Sequence, residues 1–232
     1  MNHFYIEYRI RGDPKRYLKR LRTELAYRFR IRRGGKQSPP HITLYGPFKT
    51  AEYKGVFSRI EKVAKRYKVV PFSIDGFERR QGLSGKVIVG HINASPQLVN
   101  LRRELAEELN QIVKREDSQP WDTKGDAWFH TTILQNVDQR KYDGIWHYLN
   151  RKKKPFYPQH LVRITILNSR RRIECEYDLI LERWLNRREA LSKRLYRKTI
   201  NKLIELLGRP SKRRRSTRIG LIKKIFMRLH PR

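Results

Sequence analysis

HITLYGPF, residues His41–Phe48, and HTTIL, residues His130–Leu134, share one pattern: a histidine, one residue, then a threonine, inside an apolar run that reads as a strand. Side chains alternate faces along a strand, so residues i and i+2 project together. His41 and Thr43 therefore share a face, and so do His130 and Thr132. Ile42 and Leu44 on one strand, and Phe129, Thr131 and Ile133 on the other, point the opposite way. The result is an imidazole beside a hydroxyl, twice, on backbones anchored by core residues. With seven histidines and nine threonines in 232 residues, about 0.3 such matches arise by chance. Two such pairs facing across a cleft would hold one phosphate between two acid/base groups.

The surroundings of the two motifs repeat one another. A strand at residues 3–10, HFYIEYRI, is followed by a helix with Asp13 as N-cap and Pro14 at its first position. Leu18, Leu21, Leu25 and Phe29 follow at helical spacing. Gly34 and Gly35 end that segment, and Pro39 and Pro40 lead into the first motif strand. A second helix from about Thr50 carries Val56, Ile60, Val63 and Tyr67 on one face. Residues 69–77 read as a strand, in which Pro71 suggests an edge position. The order then recurs: a strand at 86–92, and a helix capped by Ser95 with Pro96 behind it, carrying Leu98, Leu101, Leu105, Leu109 and Ile112. A polar loop with Pro120 and Gly125 leads to the second motif strand at 126–134. Asp138 caps a helix with Ile145 and Leu149, and strands at 161–167 and 173–183 are joined around Asn168 and Ser169. Each half reads strand, helix, motif strand, helix, strand. This predicts an α+β fold: a duplicated two-lobe unit, residues about 1–80 and 84–185, with two mainly antiparallel sheets around a central cleft and helices outside.

Charge divides the chain differently. The net charge is +33, and it is uneven: residues 1–185 hold 38 Lys/Arg against 20 Asp/Glu, whereas residues 186–232 hold 17 against 2. A field of that sign attracts polyanions, nucleic acid first and an anionic membrane surface second. Residues 186–207, with Leu191, Leu195, Leu203 and Leu207 among many basic residues, predict a basic amphipathic helix. A linker around Lys212–Arg215 and a second basic stretch at Ile219–Leu229 follow. A helix packed on the body, contact with nucleic acid, and a membrane surface are the three uses open to this C-terminal extension. The single cysteine, Cys175, excludes an intramolecular disulfide and fits a reducing, cytoplasmic setting. No apolar run approaches the length of a membrane span, and the N-terminal residues read as a strand rather than a signal peptide.

With the motifs about ninety residues apart in a duplicated frame, residues 1–185 resemble the two-histidine (2H) phosphoesterase superfamily. That group includes the 2'-5' RNA ligases and RNA 2',3'-cyclic phosphodiesterases. HITLYGPF is similar to the branch whose first motif continues into Gly-Pro-Phe. HTTIL departs from the pattern at Thr131, where an apolar residue is usual; Thr131 is expected to face the core with its hydroxyl bonded locally. The resemblance implies a phosphoesterase that needs no metal or other cofactor. His41 and His130 would act as general acid and general base, roles that exchange in the reverse reaction, and Thr43 and Thr132 would bind the phosphate. It does not cover the extension.

The implied partner is RNA, or an oligonucleotide with a phosphodiester or a 2',3'-cyclic phosphate end, acted on by a monomer. Weak 2'-5' ligation, hydrolysis of 2'-5' linkages, and an RNA-binding module with little catalysis are the alternatives. Tyr45 and Trp128 share faces with their histidines by alternation and could stack on a base. Lys49, Lys86 and Arg163 are candidate phosphate contacts. No cysteine or carboxylate stands at ligand spacing around either histidine, so neither reads as a metal ligand.

Overall fold

The computed structural model describes residues 2–31, 38–82, 85–115 and 128–208. The glycines at 34 and 35, the loop with Pro120 and Gly125, and the basic stretches around 212–215 and 219–229 lie outside the described residues. The elements in order are β1 (Asn2–Arg9), α1 (Gly12–Arg28), β2 (His41–Thr50), α2 (Tyr53–Ala64), β3 (Val70–Gly82), β4 (Gly85–Ala94), α3 (Pro96–Leu109), β5 (Lys114–Arg115), β6 (His130–Leu134), α4 (Gln139–Asn150), β7 (Tyr157–Leu161), β8 (Arg163–Leu167), β9 (Ile173–Asp178), β10 (Arg183–Asn186), α5 (Arg187–Leu191) and α6 (Lys193–Leu206).

The strands form two antiparallel sheets, one ordered β10-β9-β8-β1-β2-β5 and the other β6-β4-β3-β7. The α+β architecture with helices around two sheets is as the sequence predicts. Their composition shows an exchange. The first half supplies β1 and β2 to one sheet and sends β3 to the other, beside β4. The second half supplies β4 and β6, and returns β8 to lie beside β1. The triplets β8-β1-β2 and β3-β4-β6 correspond, each ending in a motif strand.

Local chemistry explains most boundaries. Ser95 and Asp138 cap α3 and α4 by accepting from the backbone N–H of Leu98 and Lys141. Asp13 does not cap α1. That helix begins at Gly12, and the Asp13 carboxylate is taken by Arg16 one turn along. Pro71 does not mark an edge strand, because β3 lies inside its sheet. It stands near the strand's start, paired with His160 on β7, while pairing with β4 begins only at Phe72. A proline is tolerated where the ladder is incomplete.

The C-terminal helices pack on the sheet. Ala190 and Thr199 are fully buried, as is Leu203 almost entirely. Beneath them lies a closed network. Arg163 donates to Asp178 Oδ2 at 2.9 Å and Glu176 Oε2 at 3.1 Å. Arg11 also pairs with Glu176 at 3.1 Å, and the Thr199 hydroxyl donates to Asp178 Oδ2 at 2.5 Å. Buried charges are tolerable when every lone pair has such a partner. Arg163, a candidate phosphate contact by sequence, is therefore a structural cation, 1% exposed.

Candidate active site

The two motif strands meet. β2 and β6 lie against one another, and Arg22 of α1 ties their backbones together. Its guanidinium donates to Thr132 O at 2.8 Å, to Ile133 O at 3.0 Å and to Ser38 O, just before β2, at 3.0 Å.

Each motif is built alike. His41 Nδ1 donates to Pro39 O, two residues back, at 2.9 Å. His130 Nδ1 is sealed from solvent without a hydrogen bond of regular geometry and leans on the backbone of Trp128, again two residues back. A ring held at Nδ1 presents Nε2 as its working atom. His41, Thr43, His130 and Thr132 are all partly exposed, while Ile42, Leu44, Thr131 and Ile133 between them are buried. Both strands then bulge at the same point. Thr43 pairs with Glu7 but Tyr45 with Ile6, leaving Leu44 as the extra residue. Thr132 pairs with Val89 but Leu134 with Ile88, leaving Ile133. A bulge ends strict alternation.

That bulge corrects the reading of Tyr45. The residue turns into the core, is fully buried, packs on Phe48 and donates its hydroxyl to Asn110 Oδ1 at 2.5 Å. It has no face left for a base. Trp128 does stand beside its histidine: the indole stacks on His130 with centroids 3.9 Å apart and 22° between planes. Its Nε1 donates to Glu78 Oε2 at 2.7 Å, and Arg80 lies over the ring. The indole is thus a wall for the histidine. Thr131 faces the core, as expected, but its hydroxyl has no hydrogen-bond partner. Its methyl sits where Gly90 leaves room, since a Cβ there would come within 2.9 Å.

Electrostatically the two imidazoles differ. Burial pushes His130 down to about 4. Arg102, His41 and Arg80 act in the same direction, against the Trp128 backbone. His41 has a carboxylate in view, with Glu7 Oε2 3.7 Å from its Nε2. Glu7 is itself buried and accepts from Arg9 at 2.8 Å. Glu7 and Arg9 were hidden in sequence because HFYIEYRI reads only as a strand. The sign was there, however: a carboxylate and a guanidinium at alternate positions of a strand otherwise made for burial. Among the described residues, no three His, Cys, Asp or Glu side chains are grouped as metal ligands would be.

Two imidazoles, each beside a threonine hydroxyl, thus stand on neighbouring strands, near enough for His41 to act on His130. The family model described as the 2'-5' RNA ligase superfamily matches residues 12–171, and the chain belongs to that superfamily. Among solved structures, Usb1 of Kluyveromyces marxianus with uridine monophosphate is similar over 71% of this chain and 91% of that one, with 10% sequence identity and a TM-score of 0.39. No curated protein sequence matches the chain.

Proposed function

We propose that this protein hydrolyses the 2',3'-cyclic phosphate at the end of an RNA, by acid/base catalysis between His130 and His41. The observation that carries the reading is the contrast between the two imidazoles. His130, buried against Trp128 with its pKa lowered to about 4, is neutral at neutral pH, so its lone pair is open to a proton. His41 stands by Glu7, which is a counter-ion for the ring when it is protonated. Water attacks phosphorus as its proton passes to His130 Nε2. The bond from phosphorus to one ribose oxygen breaks, and that oxygen takes a proton from His41 Nε2. A phosphate monoester and a free hydroxyl result, and proton exchange with solvent resets both rings. The Thr43 and Thr132 hydroxyls donate to the non-bridging oxygens as charge builds. The strained ring makes this ester the most reactive of the candidates, and a chain of charge +33 suits a polymeric anion.

The test is turnover of a short RNA with a 2',3'-cyclic phosphate, in EDTA, by the wild-type protein beside His41→Ala and His130→Ala. Each variant should lose about 10²–10⁴-fold in kcat, the range for one proton-transferring group. EDTA-sensitive turnover, or variants as active as wild type, would reject the mechanism. Turnover of a 2'-5' linkage in preference would redirect it to the oligonucleotide alternative.

A further inference from the structure

The pseudo-symmetry of the two halves exposes a residue that the two-histidine mechanism does not use. Directly across β1 and β2, Arg9 pairs with His41. Directly across β4 and β6, His91 pairs with His130. Directly opposed residues of an antiparallel pair share a face, with Cβ atoms about 5 Å apart. Arg9 and His91 are therefore counterparts, each on the same sheet face as one motif imidazole.

Their chemistry is unlike. Arg9 is a cation tied to Glu7, and its side chain is 16% exposed. The His91 side chain is 37% exposed, and its Nδ1 donates to the Asp75 carboxylate. A bulge in β3 aims that carboxylate: Ile74 pairs with Ile92 and Phe77 with Gly90, so Asp75 and Gly76 together stand opposite His91, with Gly76 at φ +141°. Glu78 Oε1 lies 3.8 Å from His91 Nε2, beyond hydrogen-bond distance, while its other oxygen holds the Trp128 indole. His91 is thus a half-exposed ring whose orientation is fixed from behind and whose Nε2 has no hydrogen bond to Glu78.

We propose that His91 is a third substrate-contacting histidine, taking the ribose or base of the nucleotide on the His130 side of the phosphate. This rests on the function proposed above. Of the two carboxylates within reach of the ring, Asp75 holds it and Glu78 also faces Arg80; together they offer acceptors to sugar hydroxyls and to the donor edges of bases. On the opposite flank Arg9 is closed on Glu7 by an ion pair and stands less exposed, so His91 is the more open of the two counterparts.

The experiment is a histidine side-chain NMR titration of the full chain with a nucleoside 3'-monophosphate, and separately with inorganic phosphate. The nucleotide should shift the His41, His130 and His91 resonances together, and phosphate alone only those of His41 and His130. Shifts at His41 and His130 but not His91 with the nucleotide would overturn the role of His91 and leave the proposed function standing. No shift at any of the three would reject both. In turnover, His91→Gln should raise KM about three- to tenfold with kcat near wild type, the effect of one lost hydrogen bond. Asp75→Asn, which leaves His91 in place but loosens it, should move KM the same way by less. A fall in kcat with KM unchanged would overturn the assignment.

Discussion

At His130, removal from water disfavours the imidazolium, and the stacked indole of Trp128 helps keep the ring dry. Its proton should therefore leave at about pH 4, measurable from the ring carbon proton by NMR, and the acid limb of kcat/KM should fall there instead of near 6.5. The same shift bears on folding. Between about 4 and 6.5 the unfolded chain binds a proton that the folded chain refuses. Stability from this ring is complete above 6.5 and is lost as pH falls toward 4. A limb and a titration both at 6.5 would show that the ring is hydrated and the assigned roles wrong. The four motif residues could be read from sequence because alternation holds from His41 to Thr43 and from His130 to Thr132. It fails one residue later, at the bulges, which is why Tyr45 leaves the face of His41 for the core.

Among the elements, β6 is an edge strand of only five residues, and its position depends on α1. Arg22 donates to two carbonyls of β6 and one on the approach to β2, so it fixes both motif backbones at once. Arg22→Ala should lower kcat by more than it raises KM, because misplacing reacting groups by about 1 Å costs on the order of 10²-fold. Steady-state kinetics beside a thermal melt separates this from simple destabilisation, which would lower the melting temperature and leave the kcat of the folded fraction alone. A second prediction concerns α6. Thr199→Val keeps the shape but leaves Asp178 and Arg163 each one bond short in a buried place. It should cost about 1–3 kcal/mol in denaturant unfolding; no change would mean that water reaches the network. The helices themselves were legible from apolar spacing and from Ser95 and Asp138. The network was not, because its partners lie 13 to 165 residues apart.

For the whole molecule, basic residues spread over the surface, and α6 presents Lys193, Arg194, Arg197, Lys198 and Lys202 to solvent. Binding of a short single-stranded RNA should weaken steeply with salt, with log K falling by about 0.7 per phosphate neutralised for each tenfold rise in salt; fluorescence anisotropy at several salt concentrations reads the slope. A flat response would mean that this charge is not used on RNA. The duplicated order of elements could be read in sequence, but the traffic of strands between sheets could not, since pairing depends on contacts that no local pattern records. That traffic has a mechanical meaning. Because β3 is stitched to β4 and β8 to β1, neither half of the sequence can be pulled from the other without tearing a ladder. Each half completes the other's sheet, so the two imidazoles come into place only when both halves have folded.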